Sequence, residues 1–172
     1  MLKPLFDFIS SFADLLIPFA VIDEYDRAVV LRLGKRNRVL GPGFHWVLPL
    51  GLEEVLSMNV VPKVIRLHPQ TLDTSDGKTV TITLVVTMDI SDIAKALLEV
   101  EDVDDAVVDA ITGLASSFIS ETYYADLVSP EFSEELTEAA NNQIAKYGVR
   151  ILKTQMADAA TFANIRLIHS QT

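Results

Sequence analysis

The sequence predicts an α+β domain in which a mixed, largely antiparallel sheet is covered by helices and preceded by an apolar N-terminal segment. Three observations support this prediction. Residues 79–90 (TVTITLVVTMDI) alternate between apolar and polar side chains, as a half-buried β-strand does. Residues 103–123 instead repeat their apolar side chains at helical spacing. Residues 2–22 are mostly apolar.

Composition limits the classes of function. The 172 residues suffice for one domain that buries roughly 70% of its unfolded surface. The mean hydropathy of +0.30 is high for a soluble domain of this size, and the N-terminus accounts for the excess. The net charge of −10 makes nucleic acid a poor partner and opposes adsorption to anionic lipid. The absence of cysteine excludes disulfides, thiolate metal sites and S-acyl anchors.

Residues 1–22 are predicted to associate with a membrane as an amphipathic or re-entrant helix. Asp7, Asp14 and Pro18 interrupt the run of about 20 apolar residues that a simple span requires. On a helix the two aspartates share a narrow polar face opposite a strongly apolar one. The helix could lie in the interface, enter the bilayer with its aspartates facing other copies, or pack in a protein core. The residues predicted to contact lipid, including two from the following domain, are Leu5, Phe6, Phe8, Ile9, Phe12, Leu15, Leu16, Phe19, Phe44 and Trp46.

The first strand of the domain is predicted from Arg27 to Leu33 and ends at Gly34. Basic residues at positions 35, 36 and 38 are assigned to the turn that follows. This turn is either a solvated hairpin loop or a loop that faces lipid headgroups.

A Gly-Pro-Gly turn at residues 41–43 introduces a compact apolar run from Phe44 to Leu50. Tryptophan is favoured at membrane interfaces, so Phe44, Trp46 and Leu48 could dip into one. Packing of the same side chains in the protein core is the alternative interpretation.

The remaining elements follow from periodicity and from capping residues. Ser91 or Asp92 is predicted to cap one helix, and Ser129 followed by Pro130 begins another. Gly148 is a suitable helix stop. The predicted elements are strands over 54–61, 63–67 and 149–156, and helices over 93–100, 103–123 and 130–147.

No catalytic constellation is evident. The three histidines, His45, His68 and His169, lack metal-ligand spacing, and there is no phosphate-binding glycine loop or nucleophile elbow. The aspartates of residues 102–109 lack the glycine and terminal glutamate of an EF-hand, which favours a solvated helix start. We therefore predict a protein that is not an enzyme and that uses no cofactor or metal.

Four segments form an ordered pattern: EYDRAVVLRLG at 24–34, GPGFHWVLP at 41–49, PQTLDTSDGKTV at 69–80 and YGVRI at 147–151. Together they resemble the SPFH superfamily, also called the band 7 or prohibitin-homology domain, and stomatin-like members most closely. The resemblance implies an α+β domain, an N-terminal membrane anchor and homo-oligomers in the form of rings or cages. It also implies a scaffold that can enclose a membrane protease or channel.

The predicted organisation is a membrane-associating segment (1–22), an SPFH-like domain (23–157) and a short C-terminal extension (158–172). Members of the family usually continue into a long coiled coil, whereas only a short helix near 160–169 is expected here. The predicted function is a non-catalytic, membrane-associated scaffold that self-assembles and organises membrane proteins. The alternative is a soluble oligomeric binding module whose N-terminal helix packs in its core.

Overall fold

The computed structural model describes residues 18–161, which contain antiparallel sheets and helices, as predicted for the α+β class. The predicted N-terminal helix lies almost wholly outside these residues. The strands are β1 (Phe19–Ile22), β2 (Asp26–Arg32), β3 (Lys35–Leu40), β4 (Gly43–Trp46), β5 (Glu53–Asn59), β6 (Lys63–Arg66), β7 (Gln70–Asp73), β8 (Thr79–Ile90) and β9 (Val149–Thr161). The helices are α1 (Ile93–Leu98), α2 (Val103–Glu121) and α3 (Pro130–Ile144).

The described chain divides into two compact units. Unit 1 comprises residues 18–62, 89–101 and 146–149, and unit 2 comprises residues 63–88, 102–145 and 150–161. Unit 1 holds a two-stranded sheet, β1-β4, and a three-stranded sheet in the order β3-β2-β5. Unit 2 holds a sheet in which β6, β7 and β9 all pair with β8.

Strand β2 forms the centre of unit 1. Ala28, Val29 and Val30 are fully buried, so the strand is covered on both faces. Ala28 and Val30 pack with Ile22 on one side, while Val29 packs with Ile93 of α1 on the other. The continuous apolar run in the sequence therefore reflects burial on both faces of the sheet.

Gly148 closes unit 1 where α1 begins. Its carbonyl accepts hydrogen bonds from the backbone N–H groups of Ser91 (2.9 Å) and Asp92 (3.0 Å). The Asp92 side chain caps α1 by accepting from the backbone N–H groups of Ala94 and Lys95. Gly148 has a φ of 71°, and a Cβ at this position would overlap the Asp92 carbonyl oxygen. Glycine is therefore required here for two separate reasons.

Unit 2 is built from alternation in β8 and from helix stripes with a period of four. Every second residue of β8 is buried, and so is every fourth residue of α2 and α3. Ser129 caps α3 as predicted, because its Oγ accepts from the Phe132 N–H. The buried positions are Val80, Ile82, Leu84, Val86 and Met88 in β8, Val103, Val107, Ile111, Ala115 and Ile119 in α2, and Phe132, Leu136, Ala140 and Ile144 in α3.

Side chains of α3 bond the backbone of β9. The amide of Asn141 donates to the Ile151 carbonyl (2.9 Å) and accepts from the Ile151 N–H (2.7 Å). Thr137 Oγ1 accepts from the Thr154 N–H at 3.1 Å. Side chains of α3 thus bond backbone N–H and C=O groups of β9 that a neighbouring strand would otherwise bond. Covering backbone groups in this way protects the edge of a sheet.

The prediction of a broad basic turn after the first strand is wrong. Only Leu33 and Gly34 separate β2 from β3, and Lys35, Arg36 and Arg38 lie within β3. The sequence KRNRVL contains no apolar alternation because most of this strand is exposed, so the usual strand signal is missing.

Two further placements differ from the sequence prediction. Phe19, expected on the apolar face of a helix, lies in β1. Ala160, expected at the start of a C-terminal helix, lies in β9, which continues to Thr161. The remainder of that predicted helix falls outside the described residues.

Candidate functional site

One face of the β1-β4 sheet is apolar and exposed. Phe19 pairs with Trp46 and Val21 pairs with Phe44, so all four side chains share this face. The ring centroids of Phe19 and Phe44 are 5.1 Å apart, and those of Phe44 and Trp46 are 5.7 Å apart at 89°. Trp46 nevertheless remains 67% exposed, while Ile22 on the other face joins the core. We call these four side chains the aromatic face.

Two turns of unit 1 place a leucine in the left-handed region of the backbone. Leu33 and Gly34 have φ values of 49° and 75°, and Leu50 and Gly51 have values of 65° and 70°. Two successive positive φ angles are typical of a type I′ turn, in which Asn-Gly is preferred. Leu33 is 73% exposed and Leu50 is 58% exposed. We call the two pairs the leucine turns.

The leucine turns are costly for folding. A non-glycine residue in the left-handed region costs roughly 1–2 kcal/mol, and an exposed leucine recovers little of this by burial. The turns are joined through Leu33, whose N–H donates to the Leu52 carbonyl at 3.0 Å. Strained backbone of this kind concentrates at functional sites, so this part of unit 1 is a candidate functional site.

A buried carboxylate holds the same region together. Glu53 faces Arg32 directly across β2 and β5, and its side chain is only 1% exposed. Oε1 accepts from Arg32 Nε (3.0 Å), Arg32 Nη2 (2.8 Å) and Asn37 Nδ2 (3.0 Å). Oε2 accepts from Arg38 Nη2 (3.2 Å) and from the Leu48 N–H (2.9 Å). The carboxylate therefore links β2, β3 and β5 to the loop after β4.

These contacts lower the pKa of Glu53. The largest cause is the hydrogen bond from the Leu48 N–H, which stabilises the ionised form. Arg32 and Arg38 lower the pKa further, while desolvation by burial opposes them. Arg38 Nη2 also donates to the Trp46 carbonyl at 2.5 Å. An ionised Glu53 thus fixes the loop that carries Leu50 and the strand that carries Trp46.

The charge of the site is opposite to that of the chain. Residues 27–52 contain five basic residues and no aspartate or glutamate. Residues 18–62 have no net charge (five basic and five acidic residues), whereas residues 63–172 carry −9 (eight basic, 17 acidic). Among the described residues, no carboxylate forms an ion pair with Lys35 or Arg36, and both side chains are exposed.

The structure brings together three of the residues predicted to contact lipid: Phe19, Phe44 and Trp46. Sequence reasoning missed Val21, the leucine turns and Glu53. Leu-Gly occurs three times in the sequence, at 33–34, 40–41 and 50–51, and only the first and last pairs have two positive φ angles, so the dipeptide alone does not identify the turns. The other predicted contact residues lie outside residues 18–161: Leu5, Phe6, Phe8, Ile9, Phe12, Leu15 and Leu16.

The Nε2–H of His45 donates to the Gly41 carbonyl at 2.8 Å and so braces the turn before β4. Within the part of the chain that the structure describes, no three histidine or carboxylate side chains are grouped to hold a metal ion. A groove of about 910 Å³ in unit 2 lies between α3 and β9 and is lined by Glu134, Glu138 and Thr154, among others. Among the described residues that line it, no serine or threonine hydroxyl is hydrogen-bonded to a carboxylate or a lysine.

None of the helices within residues 18–161 has both the length and the apolar character needed to cross a bilayer.

Related proteins are found in archaea, bacteria and animals. The chain is 31% identical over 131 residues to protein HflK of Haemophilus influenzae, an alignment covering 74% of this chain and 32% of HflK. It is 23% identical over 140 residues to a stomatin homologue of Pyrococcus horikoshii, covering 80% and 52%. It is 24% identical over 142 residues to Stomatin-4 of Caenorhabditis elegans, covering 80% and 50%. The chain thus spans about half the length of these stomatin relatives and a third of HflK.

The family model of the SPFH domain / Band 7 family matches residues 20–166. This range contains all nine strands and all three helices of the described chain, apart from the first residue of β1. The predicted resemblance is therefore confirmed, and the chain belongs to the SPFH domain / Band 7 family.

Proposed function

We propose that this chain is a non-catalytic, membrane-associated scaffold that self-assembles and organises membrane proteins, a membrane protease or channel among them. Members of its family, such as stomatins and HflK, are membrane-associated scaffold or regulatory proteins, which supports the proposal. The membrane is the first partner, and the aromatic face together with the leucine turns is the surface that meets it.

The main support for the proposal is that the apolar side chains of the aromatic face and the leucine turns are exposed to water at one site. A folded domain gains from burying such side chains, at about 25 cal/mol per Å². The aromatic face leaves them exposed on one side of a two-stranded sheet, and the leucine turns accept backbone strain as well. A lipid interface supplies the missing burial, and a tryptophan ring is favoured at the headgroup level.

The predicted membrane segment leads directly into the aromatic face. The apolar segment predicted to associate with the membrane enters this site at Pro18, whose carbonyl accepts from the Val47 N–H at 3.0 Å. Phe19 and Trp46 then pair as the first contact between β1 and β4. A segment in the membrane would therefore deliver the aromatic face to the same bilayer.

Trp46 is the single tryptophan and provides the test. We expect its fluorescence to shift to shorter wavelength when phosphatidylcholine vesicles are added, and brominated lipid to quench it. Phe44→Ser should weaken vesicle binding about tenfold and Val21→Ser about threefold, because less apolar area is removed from water. An unchanged emission spectrum with vesicles in excess would contradict the proposal.

Val64→Ser is the matched control. Val64 lies in β6 and is 66% exposed, almost the same as the 65% of Val21. If vesicle binding depended only on total surface hydrophobicity, Val21→Ser and Val64→Ser would weaken it equally. The proposal predicts that only Val21→Ser weakens vesicle binding.

Deletion of residues 1–17 separates the proposal from the soluble-module alternative. The deletion should stop before β1, because Ile22 belongs to the core of unit 1. Weaker vesicle binding with an unchanged melting curve supports the membrane segment, and unfolding supports a helix packed in the core. Sedimentation of the vesicle-free and detergent-bound protein then measures self-association, and a monomer under both conditions contradicts the scaffold.

A further inference from the structure

The basic end of the β2–β3 hairpin lies beside the proposed membrane surface, and the function argued above does not use its charge. We infer that Lys35 and Arg36 bind the phosphate groups of anionic lipid headgroups, so that the protein prefers negatively charged bilayers. This inference rests on the proposed function and adds the lipid class to it.

The two basic side chains lie directly behind the apolar tip of the hairpin. Leu33 occupies the tip of the hairpin, and Lys35 and Arg36 follow it by two and three residues as the first positions of β3. When an apolar tip enters an interface, basic side chains just behind it reach the headgroups with their charged ends. The Leu33 N–H bond to the Leu52 carbonyl and the Arg38 bond to the Trp46 carbonyl tie this hairpin to the rest of the site.

The four basic residues at positions 32, 35, 36 and 38 make different contacts. Arg32 and Arg38 form ion pairs with the buried Glu53, which holds the loop after β4 in place. Lys35 and Arg36 take no part in that network, and no carboxylate among residues 18–161 forms an ion pair with either. Their charges are therefore available to a phosphate.

Acidic residues within the β3-β2-β5 sheet are confined to β2 and β5. Asp26 begins β2 and Arg32 ends it, a separation of roughly 20 Å, or about two screening lengths at physiological salt. Glu53 and Glu54 are closer, since Arg32 pairs with both Lys35 and Glu53, and Leu31 pairs with both Arg36 and Glu54. The Glu53 charge is already held by Arg32 and Arg38. That arrangement places Glu54 two strand spacings, or roughly 10 Å, from Arg36. The net charge of −10 therefore opposes anionic lipid less at this hairpin than the composition predicts.

The experiment compares binding of the full chain to phosphatidylcholine vesicles with binding to vesicles that contain about one-third phosphatidylglycerol. We expect the anionic vesicles to bind roughly 25-fold more tightly, about fivefold for each basic residue. The gain should shrink between about 0.1 M and about 1 M salt, as the screening length falls from about 10 Å to about 3 Å. Lys35→Gln/Arg36→Gln should abolish most of the gain and leave binding to phosphatidylcholine unchanged.

Two controls keep the test specific. Lys35→Arg/Arg36→Lys retains both charges and should retain the gain. Lys146→Gln/Lys153→Gln removes two exposed charges elsewhere and should also retain it. The inference is overturned when wild type binds both vesicles equally, when Lys35→Gln/Arg36→Gln keeps the gain, or when Lys146→Gln/Lys153→Gln loses as much. Binding to phosphatidylcholine without an anionic gain overturns this inference alone, whereas binding to neither vesicle overturns the proposed function as well.

Discussion

Arg32 and Glu53 face each other across β2 and β5, and Nε and Nη2 of the arginine donate to the same carboxylate oxygen, at 3.0 and 2.8 Å. The register of two strands thus places a charge pair at the end of a sheet, where the exposed loops begin. A buried carboxylate with both oxygens bonded is rigid, so the position of the apolar loops depends on its ionisation.

We predict that acid loosens this site through Glu53. Its folded-state pKa lies below the unfolded value of about 4.3, so its contribution to stability is complete above that pH and is lost as the pH falls through the folded pKa. Glu53→Gln should therefore lower the melting temperature at pH 7 and show a smaller decrease than wild type between about pH 5 and pH 2. Melting curves followed by Trp46 fluorescence measure both effects.

Glu54→Gln is the control, because Glu54 is the exposed neighbour and bonds none of the Glu53 partners. Asp76 also has a lowered pKa, caused first by its hydrogen bond with Lys78, and acts in the same direction in unit 2. Asp76 is present in both variants, so the difference between their melting temperatures across the pH range reports the effect of Glu53 alone. Parallel acid profiles for wild type and Glu53→Gln would contradict the prediction.

The leucine turns predict an opposition between stability and membrane binding. Leu33→Asn and Leu50→Asn should each stabilise the folded protein by up to about 1 kcal/mol, because asparagine tolerates positive φ better than leucine. The same variants should bind vesicles more weakly. Urea unfolding measures the first effect and vesicle co-sedimentation the second. A variant that is less stable than wild type would show that the leucines serve the fold.

Gly148→Ala should be strongly destabilising, by about 2 kcal/mol or more. The new Cβ would overlap the Asp92 carbonyl oxygen and would hold alanine in the left-handed region. Gly113→Ala is the matched control, because Gly113 lies in α2 with open space around its Cβ position. Helix propensity predicts that this second variant is more stable by up to about 1 kcal/mol. Urea unfolding of both variants gives opposite signs.

Asn141→Ala should cost about 1–3 kcal/mol, because it leaves the N–H and C=O groups of Ile151 without their side-chain partner. The neighbouring Asn142 is exposed, so Asn142→Ala should change the free energy of unfolding by less than about 0.5 kcal/mol. Hydrogen exchange at the Ile151 amide should accelerate in the first variant and stay unchanged in the second.

Regular elements with local signals could be predicted from the sequence. The alternation from Thr79 to Ile90 matches β8 residue for residue, and Ser129 with Pro130 marks the start of α3. Both signals arise from neighbours along the chain, namely alternate faces of one strand and one capping turn. The exposed strand β3 and the four-residue strand β7 lack such patterns and were missed.

The candidate site was only half predictable for a similar reason. Phe44 and Trp46 could be predicted because tryptophan is favoured at a membrane interface and both residues lie in an apolar run beside a Gly-Pro-Gly turn. Glu53 could not, because its arginine partners lie 21 and 15 residues away and its role depends on strand register. Val21 was likewise hidden, since its place on the aromatic face follows from pairing with Phe44.

The bonds from Asn141 and Thr137 to β9 also bear on how copies of this protein can associate. The N–H and C=O groups of Ile151 and the N–H group of Thr154 already have hydrogen-bond partners, so a strand of a second molecule cannot bond to them. Growth of a polymer by β-strand addition is therefore blocked at these positions. Any association through this segment would then use side-chain surfaces and not a shared sheet.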